Sequence, residues 1–544
     1  MSRGKGKSAV AAAAYRSGEK LTNEWDGMTH DYTRKGGVVH TEIMLPPHAP
    51  PSFSDRSTLW NSVELYEKAG NAQLAREIDA ALPIELSREE QIRIKASDEI
   101  SSSPIGIGFE KLDRGVFSPE KAYDKIAAIG VKWARLQSGW ARTETVRGVY
   151  DFSWLDDIVD NLLRRGIQPW LCLCYGNSLY TPHAATYFGS VGCPPIGSAE
   201  ERAGWADYVS ATVRHYRGRI SLYEVWNEPD LKYSWRHGTD PEPGPCGREY
   251  GVFCLETARV VHQTDPQARV AGFALAHPYE LEFLADALTV PGLADALDAV
   301  SFHVYTADDS RRPVYIRQLR TLLSGTGKRI DLIQGEAGAQ SRSDGNGAMR
   351  GYAWTPDRQR TYLLRGILHD LAAGLPLTSY FSTLDMIEAL NGVVTDRKSY
   401  LDYGYFGVLS ADFDENGMST GSYSPKPSYT ALGNLLSVFS GDFSPTELPF
   451  ERLVLPSKRL GGTDCAGDSL TAYGFRKGDA WGLTFWNPTP LLTTTYEGTV
   501  SLRLPCGNPG HLRLADLADG AVYAIPDDLT EQNTDGTVTL KNLP

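Results

Sequence analysis

The middle of this 544-residue chain predicts a (β/α)8 TIM barrel, its end an antiparallel β-sandwich, and its start a short α/β fragment. Three observations carry that expectation. From residue 104 to about 440, short apolar runs alternate with stretches whose apolar residues recur at i, i+3/i+4 and i+7. Two of the runs end on a glutamate, Glu228 in WNEP and Glu336 in QGEAG. From 441 onward the runs themselves alternate apolar with polar, separated by turn residues. The expected divisions are a fragment at 1–95, a polar linker at 96–103 within KASDEISSS, the barrel at 104–440 and the sandwich at 441–544.

The barrel's strand candidates fall at 105–109, 131–137, 167–175, 221–227, 269–274, 297–305, 329–336 and 376–382. Between them lie helical patterns such as SPEKAYDKIAAIG, FSWLDDIVDNLLRRG, ERAGWADYVSATVRHY and TPDRQRTYLLRGILHDLAAG, several ending on glycine. Eight such units suit a closed barrel. An open doubly wound sheet is the alternative, but no GxGxxG follows the first strand and no P-loop is present. Nucleotide binding is therefore not expected.

Composition narrows the partners. Hydrophobic residues at 41% and charged residues at 22% are globular values, and a net charge of −13 speaks against a nucleic-acid partner for the whole chain. No apolar run is long enough for a membrane span, and Ala9–Ala14 is too short for a signal peptide, so a cytoplasmic protein is expected from the chain as it stands. The seven cysteines include Cys172 and Cys174 on one face of a buried strand; Cys193 with Cys246, or Cys465 with Cys506, could pair in an oxidising compartment.

In a TIM barrel the chemistry sits at the C-terminal ends of the strands. Those ends are Glu110, Gln137, Tyr175, Glu228, Phe273, His303 to Tyr305, Glu336 and Ser382. In WNEP, Pro229 has no N–H and a fixed φ, so the strand stops and presents Glu228 at the sheet's edge. Asn227 beside it offers an amide suited to hydroxyl groups. Two carboxylates facing each other across a cleft are what glycoside hydrolysis requires: one holds a proton for the leaving oxygen, the other stays ionised. No metal or organic cofactor is needed for that chemistry.

On these residues, 104–440 resembles a clan A glycoside hydrolase. The stretch GWARTETVRGVYDFSWLDDIVDNLLRRGIQP is similar to family 39, the β-xylosidase and α-iduronidase family, although its G-x-Y-x-F-x-x-L-D element is shared within the clan. The resemblance implies Glu228 as acid/base, Glu336 as nucleophile and Asn227 at the sugar's 2-hydroxyl. It places Arg135 near Glu336, and His303 and Tyr305 at the same sugar or on the nucleophile. The residues alone leave alternatives: Arg135 as an ion-pair partner of Glu224 or Glu228, His303 as a satisfied core histidine. Trp140, Tyr175, Asn177, Tyr180, Trp235 and Trp354 fall in predicted βα loops, where they either contact sugar or pack the loops. The long segments Gly176–Ser198 and Leu384–Pro427 favour a closed, exo-acting pocket.

The fragment 1–95, with SRGKGKSAVAAAAYRSGEKL and HDYTRKGGVVHTEIMLP, resembles the N-terminus of MobA/MobL plasmid mobilisation relaxases. That implies Tyr15 as a DNA-attacking tyrosine beside a histidine-held metal. The pattern departs from the family: no two histidines lie closer than eight residues, and 13 Lys+Arg balance 13 Asp+Glu. A truncated fragment without nicking activity is expected. In the tail, Trp481 or Trp486 could bind carbohydrate, but structural support is the expected role, and the chain ends directly after a strand candidate.

The sequence thus reads as a retaining glycoside hydrolase, exo-acting on a β-linked xyloside, galactoside or glucoside of a plant or microbial polysaccharide. An endo-glycanase and an inactive carbohydrate-binding barrel are the alternatives, with DNA nicking by the fragment behind them.

Overall fold

A computed structural model describes residues 8–35, 41, 43, 49–66, 100–388, 392–447, 451–453, 457–459, 464–465, 470–478, 480–488, 490–492, 496–497, 500–504 and 513–543. The chain divides into two compact units, 1–82 and 83–544.

In the first unit, helix Ala9–Ser17 starts on the Ser8 hydroxyl, which accepts from Ala11 N at 3.2 Å, and ends at Gly18 with φ 67°. An antiparallel hairpin, Lys20–Thr22 with Thr29–Asp31, and helix Arg56–Tyr66 complete what is described. Val10, Ala13, Ala14 and Leu21 form its core with Trp60. Tyr15 is 46% exposed, with the Lys35 ammonium 3.5 Å above its ring. His40, His48 and the predicted helical stretch beyond residue 66 lie outside the described residues.

The second unit is built on eight parallel strands: β1 Ile105–Gly108, β2 Trp133–Gln137, β3 Gln168–Leu173, β4 Leu222–Val225, β5 Arg269–Leu275, β6 Ala299–His303, β7 Asp331–Glu336 and β8 Thr378–Tyr380. They close in order, β8 returning to β1 with Thr378 opposite Ile105. A principal helix follows each strand: α1 Tyr123–Ala128, α2 Ser153–Arg164, α3 Ala199–Tyr216, α4 Gly247–Thr264, α5 Leu281–Leu288, α6 Arg312–Ser324, α7 Pro356–Ala372 and α8 Pro427–Val438. The helices form where the sequence periodicity places them. In α2 the buried residues are Leu155, Ile158, Val159 and Leu162, spaced i, i+3, i+4, i+7. Helix α3 is capped by Ser198 on Glu201 N, and α7 by Thr355 with Pro356 at the first turn.

Alternation along the strands sorts the barrel interior into layers. Trp170, Leu222, Ala271, Ala299, Ile333 and Leu377 pack with Trp133 into an apolar floor. Two residues on from Trp133 and Leu222, the same faces of β2 and β4 carry Arg135 and Glu224, both fully buried. A charged layer therefore rests on an apolar one, towards the strands' C-terminal ends.

The loops after β3 and β8 join each other. Phe188 N donates to Gly392 O, and Val394 N to Thr186 O, each at 2.9 Å. Lys111, just after β1, fastens the β8 loop by donating to the carbonyls of Ile387 and Glu388 at 3.0 and 2.9 Å.

Beyond α8, two antiparallel sheets face each other. One contains Ser444–Thr446, Thr471–Lys477 and Ala480–Trp486; the other Glu451–Leu453, Val500–Leu504, Val538–Leu543 and Thr530–Gln532. Ala472, Leu483 and Phe485 of the first meet Leu502, Val538 and Leu540 of the second. Tyr473 and Trp486 pack on His369 of α7, with the Tyr473 hydroxyl 2.7 Å from His369 Nδ1. Trp486 thus serves the join to the barrel, whereas Trp481 is exposed.

Two expectations change. Residues 96–99 of the anticipated linker lie outside the described residues, but Ile100 is buried, its side chain filling the space beside Gly130. Ile100 is therefore part of the barrel's core, while Ser101 and Ser102 after it are exposed. Cys193 and Cys246 are both free, the first enclosed and the second exposed. Among the described residues no helix is long and apolar enough to cross a membrane.

Ile100→Ala should lower stability by about 2–5 kcal/mol, the range for truncating a buried aliphatic side chain. Urea unfolding of the full chain measures it; a loss under about 0.5 kcal/mol would return residue 100 to the linker.

Candidate active site

Strand β4 stops at Val225, one residue before WNEP. Trp226 and Glu228 then adopt positive φ, 65° and 52°, a left-handed conformation that side-chain-bearing residues rarely take. This twist, with Pro229, turns the Glu228 carboxyl inward over the barrel. Glu228 N donates to Ala274 O at 3.2 Å, fixing the turn to the end of β5. Glu336 is the last residue of β7 and His303 the last of β6.

Arg135 occupies the centre and is wholly buried. Its Nε donates to Glu224 Oε2 at 2.7 Å and its Nη2 to Asn227 Oδ1 at 2.8 Å. Nη1 donates to Glu336 Oε1 and reaches Glu110 Oε1 at 3.3 Å. Both sequence readings of Arg135 thus hold together: it pairs with Glu224 and it contacts Glu336. With its oxygen committed to Arg135, the Asn227 amide offers N–H donors to a ligand.

The other partners differ between the two glutamates. Tyr305 Oη donates to Glu336 Oε2 at 2.9 Å. His303 Nδ1 lies 2.9 Å from Glu228 Oε1 and 3.5 Å from Glu336 Oε2. Burial raises the Glu228 pKa above its ordinary value, and the charge of Glu336 adds to this against the opposing pull of His303. Burial pushes Glu336 the same way but is outweighed by His303, Arg135, Tyr305 and Lys111, so its pKa is lowered. The same two carboxylates raise His303 against the effect of its burial. The environment thus pushes the two carboxyls' pKa values apart, Glu228 upward and Glu336 downward.

One ligand atom from each of Glu228, His303 and Glu336 lies within 4.8 Å of the others, a grouping of metal-ligand type. The Arg135 guanidinium already bonds to Glu336, so a positive charge stands where a cation would be drawn.

Several expected sugar contacts are corrected. Trp140 is fully enclosed, stacked between Tyr180 and Tyr208 at centroid distances of 5.3 and 5.4 Å, with Nε1 donating to Glu144 at 2.6 Å. Trp235 is equally enclosed, its Nε1 on Glu249 and its ring against Trp226, Tyr250 and Phe253. Neither ring has a face open to a ligand, because each fills the layer between strands and helices. Asn177 is buried and donates to Glu144 O at 2.8 Å, so it packs the β3 loop. Trp354 is buried with Nε1 on Met349 O, while Tyr180 donates to Glu144. Tyr175 is buried too, but it meets Trp226 edge-on and accepts from Gln137 at 3.3 Å, within range of the Glu228 charge.

Other residues complete the site without a local sequence signal. Glu110 is pushed up to about 8 by burial and by Glu336. Glu388, in the β8 loop, is buried beside Lys111, and its pKa is raised by that burial. Burial, with the charges of Glu228, Glu388, Asp230 and Glu336, raises the Tyr233 hydroxyl above its ordinary value. Glu110 sits just past a strand end, where position alone pointed to it; Lys111 beside it was not singled out from the sequence. Glu388 and Tyr233 come from irregular loops whose path no periodicity fixes.

A closed barrel with two neighbouring carboxyls at its C-terminal face, one raised and one lowered in pKa, is the arrangement that glycoside hydrolysis requires. Comparison with known proteins gives each part of the chain a family resemblance. Residues 127–334 match the glycosyl hydrolases family 39, and residues 7–98 match the MobA/MobL family. A beta-xylosidase of Geobacillus stearothermophilus is 30% identical over 174 residues, 29% of this chain and 31% of that protein. Mobilization protein MobL of Acidithiobacillus ferridurans is 50% identical over 91 residues, 17% of this chain and 23% of that protein. The chain thus spans under a third of the length of these curated relatives. A solved family 39 glycoside hydrolase from Bacteroides cellulosilyticus WH2 shares the fold, with TM-score 0.54 and 18% identity over 81% of this chain and 79% of that one.

Arg135→Met should destabilise the fold by about 3–5 kcal/mol, since it strands Glu224 and Glu336 as buried carboxylates without their counter-ion. Chemical denaturation measures this; a neutral result would show that the carboxylates are protonated and do not need the guanidinium.

Proposed function

We propose that the barrel is a retaining β-glycosidase that releases a terminal sugar, xylose first among the candidates, through a covalent glycosyl-enzyme. One observation carries the reading: carboxylate oxygens of Glu228 and Glu336 lie within 4.8 Å of each other, in environments that push their pKa values apart. Retaining enzymes hold their two carboxyl groups about 5–5.5 Å apart, inverting ones about 6.5–9.5 Å apart to admit a water. The separation here supports direct attack by a carboxylate.

Glu336, ionised, attacks the anomeric carbon. The bond from that carbon to the glycosidic oxygen breaks, and the Glu228 proton passes to the departing oxygen. Glu228, now a carboxylate, takes a proton from water as the water's oxygen attacks the same carbon; Glu336 leaves and Glu228 is protonated again. Asn227 N–H groups bond the 2-hydroxyl, a contact that strengthens as positive charge builds on the ring. Tyr305 and Arg135 hold Glu336 so that attack needs little reorganisation. The join between the loops after β3 and β8 supports a closed pocket for the terminal sugar. Xylose is favoured because the relatives matched over 171 and 174 residues are named beta-xylosidases.

A panel of nitrophenyl α- and β-glycosides tests the class and the sugar. The β-xyloside should be hydrolysed with net retention of configuration by NMR, and Glu336→Gln should abolish the reaction. Glu228→Gln should slow substrates with poor leaving groups by about 10²–10⁴-fold, with far less effect on activated ones. An inverted first product would overturn the mechanism.

The pH profile of kcat/KM should be bell-shaped. Glu336 must be ionised and its pKa is lowered, so the acid limb falls below the ordinary carboxylate value of 4.5. Glu228 must be protonated and its pKa is raised, so the alkaline limb lies above 4.5. The two limbs belong to the coupled pair. In Glu228→Gln, assayed on an activated glycoside, the alkaline limb should vanish; its persistence would assign that limb to another group.

A further inference from the structure

Outside the carboxylate pair, the barrel's rim carries aromatic rings that neither the core nor the two-step reaction uses. Tyr279 is 50% exposed, and its ring lies 5.6 Å from that of half-buried Tyr315 at an interplanar angle of 44°. The His277 ring also lies 5.3 Å from that of Tyr279, at 37°. The three rings come from the loop after β5 and the first turn of α6, so they stand at the C-terminal face of the barrel.

Their loop is fastened to the one that carries Glu228. Besides the bond from Glu228 N to Ala274 O, the half-buried Asp230 carboxylate accepts from Ala276 N at 3.0 Å and His277 N at 2.8 Å. The charge of Asp230 acts on both Glu228 and Tyr279. The ring ladder therefore starts beside the turn that holds the proton donor. In the reaction proposed above, that proton goes to the leaving oxygen, so the departing part of the substrate lies on the Glu228 side. On the side of β1, by contrast, Lys111 fastens the β8 loop, which is joined in turn to the β3 loop.

A pyranose has an apolar C–H face that stacks on an aromatic ring, and successive sugars of a chain present such faces in sequence. We propose that Tyr279 and Tyr315 form a stacking platform for the leaving-group sugars of a β-linked oligosaccharide, making the enzyme selective for chain ends over single-sugar glycosides. This rests on the glycosidase reading, and assigns that site a substrate of three or more sugars.

The test compares xylotriose with β-xylosyl fluoride, whose leaving group is too small to reach the platform, using the full chain. In the double variant Tyr279→Ala/Tyr315→Ala, the ratio of kcat/KM for xylotriose to that for the fluoride should fall ten-fold or more, chiefly through KM. In Tyr279→Phe/Tyr315→Phe, which keeps the rings, it should return to within two-fold of wild type. An unchanged ratio in the alanine variant, or a fall that phenylalanine does not restore, overturns the platform. If wild type hydrolyses neither compound, the xylosidase reading fails separately, and calorimetric titration with xylohexaose decides. Binding by wild type that the alanine variant loses upholds a saccharide platform; equal binding, or none in wild type, overturns it.

Discussion

Everything chemical in this barrel depends on the Arg135 guanidinium. It reaches the end of β1 through Glu110, β4 and its turn through Glu224 and Asn227, and β7 through Glu336. A guanidinium cannot be deprotonated at working pH and presents a rigid fork of donors, which a lysine ammonium would not. Taking it out of water is costly, and the carboxylates around it offset that cost only while the geometry is kept. The cluster thereby forces elements remote in sequence into one arrangement. Its stability role and its effect on Glu336 are the same interaction seen twice.

That constraint also explains how two glutamates on one face diverge. Both are buried, and burial alone would protonate both. Arg135 and Tyr305 act on Glu336 directly, whereas Glu228 sits on a turn that removes it from the guanidinium. His303 touches both and lowers both, outweighing burial only at Glu336, where Arg135, Tyr305 and Lys111 add to it. The apolar floor of Trp133, Trp170 and Leu222 beneath keeps water from the layer and so maintains the contrast.

Much of the fold was legible because barrel strands are short, apolar and regularly separated by amphipathic helices. Glu228 and Glu336 were legible for the same reason: a carboxylate at the end of a buried run has few structural uses. The loop aromatics were not. Trp140 and Trp235 sit in segments that look like exposed loops, yet they are the packing that holds those loops, since a large ring gains most from full enclosure. Conversely Tyr279 carried no distinguishing pattern, and its exposure arises from how the loops after β5 and β6 rise beside each other.

The sequence by itself determined the alternation that makes a closed barrel, the sandwich behind it, the fragment before it and the pair of glutamates at strand ends. Those features follow from local periodicity and from the strict direction of a parallel strand. Tertiary structure alone decided how burial and charge push the two glutamates' pKa values apart, that Glu388 is buried beside Lys111, and which aromatic rings meet solvent. These depend on distances between residues far apart in the chain. Burial and charge act through space, and no spacing along the sequence encodes them.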